Sequence, residues 1–167
     1  FALHHALTKG LLFLSVAVIN DWTGTTQIAD LGGLLGRSPG FASVFLVGGL
    51  SLVGIPPLAG FFGKFLVFDA AVTGVAQTLA AGGGVAVGTV GTLFVLLAGA
   101  VLTILYSTRA WIGSFWGDST EVVGTADTYQ VALLATLAAI IVAVGLGFEP
   151  VYQAADAAAE AALDTEG

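Results

Sequence analysis

Two adjacent histidines, and a lysine one helical turn beyond them, interrupt an otherwise apolar run near the start of the 167-residue chain: "HHALTKGLLF", residues 4–13. His5 and Lys9 are four residues apart and would share one face of a helix, while His4 shares its own face with Thr8. Imidazole titrates near neutrality and a desolvated ammonium can release its proton, so a histidine–lysine pair in a dry interior can hold a proton on either partner. That is the chemistry of a proton relay. The plainer alternative is a lysine snorkelling to the interface beside interfacial histidines.

Lys64 stands in "AGFFGKFLVF", directly after the "GIPPLAG" segment. Pro56 and Pro57 remove backbone donors and bend or end a helix. Broken segments in membranes occur where they line a cavity or are buried in protein. A lysine beside such a break reads as a water-accessible group, again with snorkelling as its alternative. Asp69 lies about 140° round a helix from Lys64, so it is not a natural intrahelical partner. Either it pairs with a residue on another helix or it lines the path. An ionisable group at the bilayer centre costs about 2.5–3.5 kcal/mol, and that cost sets His4, His5, Lys9, Lys64 and Asp69 apart from the leucines around them.

The elements that must position these groups follow from composition. The chain is 57% hydrophobic and only 9% charged, with a mean hydropathy of +0.99. A soluble domain carries about 25% charged residues, so this one has too few to cover a water-facing surface. Repeated apolar stretches of about 20 residues match a hydrocarbon core about 30 Å thick. The expected fold is an all-α, polytopic transmembrane bundle of about five spans: residues 1–19, 41–59, 60–81, 84–106 and 129–148, with the Pro–Pro break before the third. Each must be helical, because lipid offers no partner to a free N–H or C=O. The chain starts at Phe1 inside an apolar run, so it reads as a fragment beginning partway through a span.

Between the first two spans, Ile28, Leu31, Leu34 and Leu35 predict a brief interfacial helix ended by Gly36 and Pro39. Trp111, Phe115 and Trp116, just before the polar "GDSTEVVGTADT", suit the headgroup zone. Gly84, Gly88 and Gly91 form a small-residue row that predicts close helix packing. Thr89, Thr92, Thr103, Ser107 and Thr108 are expected for the most part to bond back to their own helix carbonyls. Arg109 reads as an interfacial anchor. Residues 1–150 form the membrane part, and residues 151–167 an alanine-rich acidic surface tail.

Several functions are excluded or disfavoured. With no cysteine, there is no disulfide, thiolate metal site or cysteine nucleophile. His4 and His5 have no Asp or Glu at ligand spacing, so neither a metal nor another cofactor is expected. Eleven acids against four Lys and Arg give a net charge of −7; no basic patch exists for nucleic acid, and an acidic exterior suits a high-salt habitat.

Three stretches in order, "HHALTKGLLFLSVAVI", "IADLGGLLGRSP" and "LSLVGIPPLAGFFGKFLVF", resemble the antiporter-like membrane subunits shared by Mrp-type cation/proton antiporters and the membrane arm of respiratory NADH:quinone oxidoreductase. The paired histidine and "GFFGKF" are nearest the D subunit of the Mrp type. The resemblance implies a longer subunit built of inverted repeats, of which this chain is the C-terminal third, multi-pass in the cell membrane among other membrane subunits. It implies Lys9 as the central proton carrier, His4 and His5 as links towards it, and Lys64 as the group passing protons to one membrane face, coupled to Na⁺. A proton-pumping subunit of the quinone oxidoreductase is the alternative, and a non-transporting truncated membrane piece a third.

Overall fold

The structure is a computed structural model that describes residues 2–80, 82, 87–118, 121 and 127–164. Six substantial helices carry the chain: α1 (Ala2–Thr23), α3 (Pro39–Val53), α4 (Ala59–Ala80), α5 (Val87–Phe115), α6 (Thr128–Leu146) and α7 (Phe148–Asp164); α2 (Leu34–Arg37) is a single turn. No strand occurs among the described residues. Among the described residues four helices (α1, α4, α5 and α6) are long and apolar enough to cross a membrane, and α3 is a shorter apolar helix. The expectation of about five spans holds.

The exception in length is informative. With 15 residues, α3 is about 22 Å long, short of a hydrocarbon core of about 30 Å. Pro39 occupies its first turn, where a missing N–H costs nothing. It ends at Gly54, whose φ of +90° is open to glycine and strained for other residues. The second span therefore stops at Val53 rather than near residue 59. Ile55-Pro56-Pro57-Leu58 crosses to α4 as non-helical chain.

This short helix is the hub: it packs against α1, α2, α4, α5 and α6. Its partner α1 buries one stripe, His4, Thr8, Leu11, Ser15, Val18 and Trp22, spaced three and four apart as a helix face requires. The two helices approach closely at Gly48, where a side chain would meet Leu11 and Leu12 at 3.2 and 2.9 Å. At one end of the bundle, Trp22, Phe41, Phe45, Trp111 and Phe115 form a continuous aromatic cluster with ring centroids 4.6–6.3 Å apart.

That cluster corrects one expectation. Phe115 is 1% exposed and Trp111 half-buried, so both belong to the core, and only Trp116 is exposed. Aromatics near a loop look alike in sequence whether they face lipid headgroups or each other. The short interfacial helix is also different. Ile28–Asp30 forms a 3-10 turn and Leu34–Arg37 a separate helical turn. Gly33 separates them at φ +65° and donates its N–H to the Trp116 carbonyl at 3.2 Å. Leu34 is fully buried, which makes the connection part of the core.

Of the small-residue row on α5, Gly88 and Gly91 touch nothing within 4 Å, and Gly84 lies outside the described residues. Close approach is made elsewhere. Gly60 sits against the Ser51 backbone and Gly145 against Pro57 and Leu58. The last helix, α7, starts at Phe148, so Pro150 falls in its first turn and Glu149 accepts a hydrogen bond from Gln153 at 2.9 Å.

Candidate functional site

The site lies at the end of the bundle away from the aromatic cluster, where α1 begins, α3 stops and α4 starts. The structure separates the three N-terminal candidates by face. His4 is buried, on the same stripe as Thr8; His5 and Lys9 are half-buried at its edge. The rings of His4 and His5 meet edge to face, with centroids 6.2 Å apart. Lys9 lines a cavity of about 190 Å³ with Leu12, Phe13, Leu52 and Tyr106.

Lys64 reaches back to the break. Its Nζ donates to the Val53 carbonyl at 2.9 Å. The last carbonyls of a helix lack intrahelical partners and carry partial negative charge, so an ammonium is a fitting cap. Gly54 leaves room for this, since a side chain there would sit 3.0 Å from Lys64 Cδ. The side chain thus ends on a carbonyl of the neighbouring helix α3. It also borders an open, mostly apolar groove of about 360 Å³ between α4 and α5, lined by Phe68, Val95, Leu96, Gly99 and Thr103.

His4 faces a smaller space of about 50 Å³, enclosed with Ala59, Gly63, Val144, Phe148 and Val151. Here α4 meets α7 through Phe62 and Phe148, stacked at 4.4 Å and 9° between planes. Asp69 is exposed, beyond the Lys64 groove. Among the described residues, no group of three His, Asp or Glu side chains converges as a metal site.

The residues that sequence reasoning passed over are hydroxyls. Thr8 Oγ1 and Ser51 Oγ lie 3.0 Å apart, each with no exposed surface, joining α1 to the last turn of α3. Tyr106 borders the Lys9 cavity from α5. A signal existed for Ser51: it is a polar residue in the last turn of a helix whose only other polar side chain is Ser43, in its first turns. Thr92 and Thr103 bond back to Gly88 and Gly99 as expected. Ser107 does not; its buried hydroxyl has no partner among the described residues.

The family model for NADH:quinone oxidoreductase/Mrp antiporter transmembrane proteins matches residues 1–94. The chain belongs to this family. It is 33% identical to the Na(+)/H(+) antiporter D subunit of Alkalihalophilus pseudofirmus over 164 residues, covering 96% of this chain and 31% of that protein. Against the corresponding D subunit of Bacillus subtilis it is 34% identical over 173 residues, 99% of this chain and 32% of the relative. The Na(+)/H(+) antiporter A subunit of Bacillus subtilis is 36% identical over 118 residues, 70% of this chain and 14% of that one. The chain thus spans about a third of the length of the D subunits it matches.

A solved Mrp complex from Dietzia sp. contains a chain of like fold, with a TM-score of 0.71 and 23% identity, covering 89% of this chain and 34% of that one. As a member of this family with several apolar helices, the chain is a multi-pass membrane protein. The antiporter-like resemblance in the motifs is the family that the comparisons identify.

Proposed function

We propose that this chain forms part of the proton-conducting membrane subunit of a multi-subunit Na⁺/H⁺ antiporter, working among other membrane subunits. The observation that carries the reading is Lys64. It is an ammonium held on the carbonyl end of a broken helix, beside an open groove, in a chain matching D subunits over nearly its whole length. In this reading Lys9 is the central carrier, with His4 and His5 linked to it, and Lys64 passes protons towards one membrane face. Asp69, exposed past the Lys64 groove, lines the path or pairs with another helix. Residues 1–150 provide the membrane part and residues 151–167 the acidic tail.

Breaking α3 ends a helix at the half-buried Val53 and Gly54, beside Lys64, and this supports the reading physically. Such a terminus offers unpaired carbonyls where an intact helix would offer none. Lipid cannot satisfy these groups, so they must be met by protein or water. A lysine that bonds to one of them and borders an open groove can exchange its proton with water while its position stays fixed.

The family description also covers the quinone oxidoreductase, and one experiment separates the two. Proton flux is followed with a pH-sensitive dye in vesicles holding the assembled complex, with and without Lys64→Ala. The antiporter reading expects flux driven by a Na⁺ gradient, falling to background in Lys64→Ala. Proton movement that needs NADH and ignores Na⁺ would assign the respiratory alternative. Full flux in Lys64→Ala would remove Lys64 from the path.

A further inference from the structure

We infer that the Thr8–Ser51 hydroxyl pair is a positioning lock that sets Lys9 and Lys64 in register. This inference rests on the relay reading above. Several helical hydroxyls elsewhere among the described residues take the local solution: Ser15, Thr23, Ser43, Thr78 and Thr136 each donate to the carbonyl four residues earlier, at 2.8–2.9 Å. Thr8 and Ser51 instead meet across two helices, 43 positions apart in sequence and fully buried. Hydroxyls that pair across a dry interface tie one helix to another, because sliding would break the bond that joins them.

What the pair connects gives it a role. Thr8 is the residue before Lys9. Ser51 is two residues before Val53, whose carbonyl holds the Lys64 ammonium. The Ser51 backbone is also where Gly60 packs, four residues before Lys64 on α4. One hydrogen bond therefore ties the backbone bearing Lys9 to both anchors of Lys64: the carbonyl that Nζ binds and the turn of α4 from which its side chain departs. Gly48 brings α1 close enough for the hydroxyls to meet, its missing side chain replaced by Leu11 and Leu12 at 3.2 and 2.9 Å.

Thr8 and Ser51 need not touch a moving proton for this. They set the geometry of two groups that do, and displacement by about 1 Å can slow a positioned reaction by a hundredfold.

Side-chain swaps of opposite sense separate a lock from simple packing. Thr8→Val keeps the volume and removes the hydroxyl, while Thr8→Ser keeps the hydroxyl and removes a methyl. The lock expects Thr8→Val and Ser51→Ala each to lower Na⁺-driven proton flux per assembled complex tenfold or more. Thr8→Ser should stay near the unmutated rate, and the Thr8→Val/Ser51→Ala double variant should be no worse than either single one. A packing role expects the reverse order for the two Thr8 variants, and that order would overturn the inference.

A second arm does not depend on transport. Spin labels at Leu14→Cys on α1 and Ser43→Cys on α3, both exposed positions, report the register of the helices in the assembled complex. This chain has no cysteine of its own to interfere. The label distance distribution should broaden in Thr8→Val and Ser51→Ala and stay narrow in Thr8→Ser. An unchanged distribution in all three would refute the lock, whatever the flux. If the unmutated complex moves no protons with Na⁺ or with NADH, the relay reading fails, and the positioning role fails with it even where the labels respond.

Discussion

Replacing Gly54 by alanine tests the link between the broken helix and Lys64 at a single position. Gly54 closes α3 at φ +90° and ψ 49°. A left-handed conformation costs an L-residue about 1–2 kcal/mol, and none of that falls on glycine. The new methyl carbon would also stand 3.0 Å from Lys64 Cδ and 3.4 Å from the Gly60 carbonyl oxygen. Carbon–carbon contacts settle at about 3.5–4.0 Å, so the lysine stem must retreat by roughly half an ångström. Its bond to the Val53 carbonyl starts at 2.9 Å. The same displacement would carry it past the useful range of about 2.7–3.2 Å. A hydrogen bond to a charged group contributes about 1.5–3 kcal/mol, and losing part of it adds about 1 kcal/mol to the strain.

The total destabilisation expected for Gly54→Ala is about 2–3 kcal/mol. Gly49→Ala is the internal control. Gly49 lies in the same helix with nothing within 4 Å of its missing side chain, and alanine there should be neutral or favourable by up to about 1 kcal/mol. Denaturant titration of the purified complex in detergent, read through an environment-sensitive label on this chain, gives both values. Two substitutions of the same chemistry, five residues apart, should differ in sign. Proton flux should fall only in Gly54→Ala. Equal stability of the two variants would refute both the left-handed cap and the contact with Lys64.

Gly145→Val should destabilise the chain by about 1–3 kcal/mol through overpacking, since a side chain there runs into the Pro57 carbonyl and lies 2.7 Å from the Ala59 nitrogen; the same denaturant titration measures it. Phe148→Ala removes a ring stacked on Phe62 at 4.4 Å, a pairing worth about 0.5–1.5 kcal/mol beyond its buried area. Limited proteolysis should then release α7 sooner while the midpoint of global unfolding stays in place.

The span count and the costly ionisable residues were legible because each rests on a local rule. About 20 apolar residues make a span, and a lysine beside two prolines is costly unless it has a task. Relations between helices were not legible. Histidine and lysine four apart predicted one shared face, yet the buried stripe of α1 runs through His4 and Thr8 and leaves His5 and Lys9 at its margin. Period alone cannot say which face turns inward when both carry polar groups. Glycines show the same limit. The row on α5 had the spacing of a packing motif, yet a side chain added at Gly88 or Gly91 would meet nothing, while Gly60 and Gly145, without such a pattern, sit against the backbone of another segment. Contact depends on the neighbouring helix, and no single-helix pattern contains it.

The break itself explains why so much converges on one place. An unwound segment in a bilayer is tolerated only where other groups meet its backbone. Here Ile55, Pro56 and Pro57 are exposed, and protein meets the two ends of the segment: Lys64 on the Val53 carbonyl, Gly60 against Ser51, Gly145 against Pro57 and Leu58, and Thr8 bonded to the Ser51 hydroxyl. The Lys64 bond meets a carbonyl left open by stopping α3 short, and the other contacts pack neighbouring helices around that end. Together they bring α1, α4 and α6 to one point and hold a lysine beside an open groove. A continuous helix would have satisfied its own carbonyls and left Lys64 nothing to bind at Val53. The break thus leaves a carbonyl free to hold the Lys64 ammonium, and the same contacts fix where it stands.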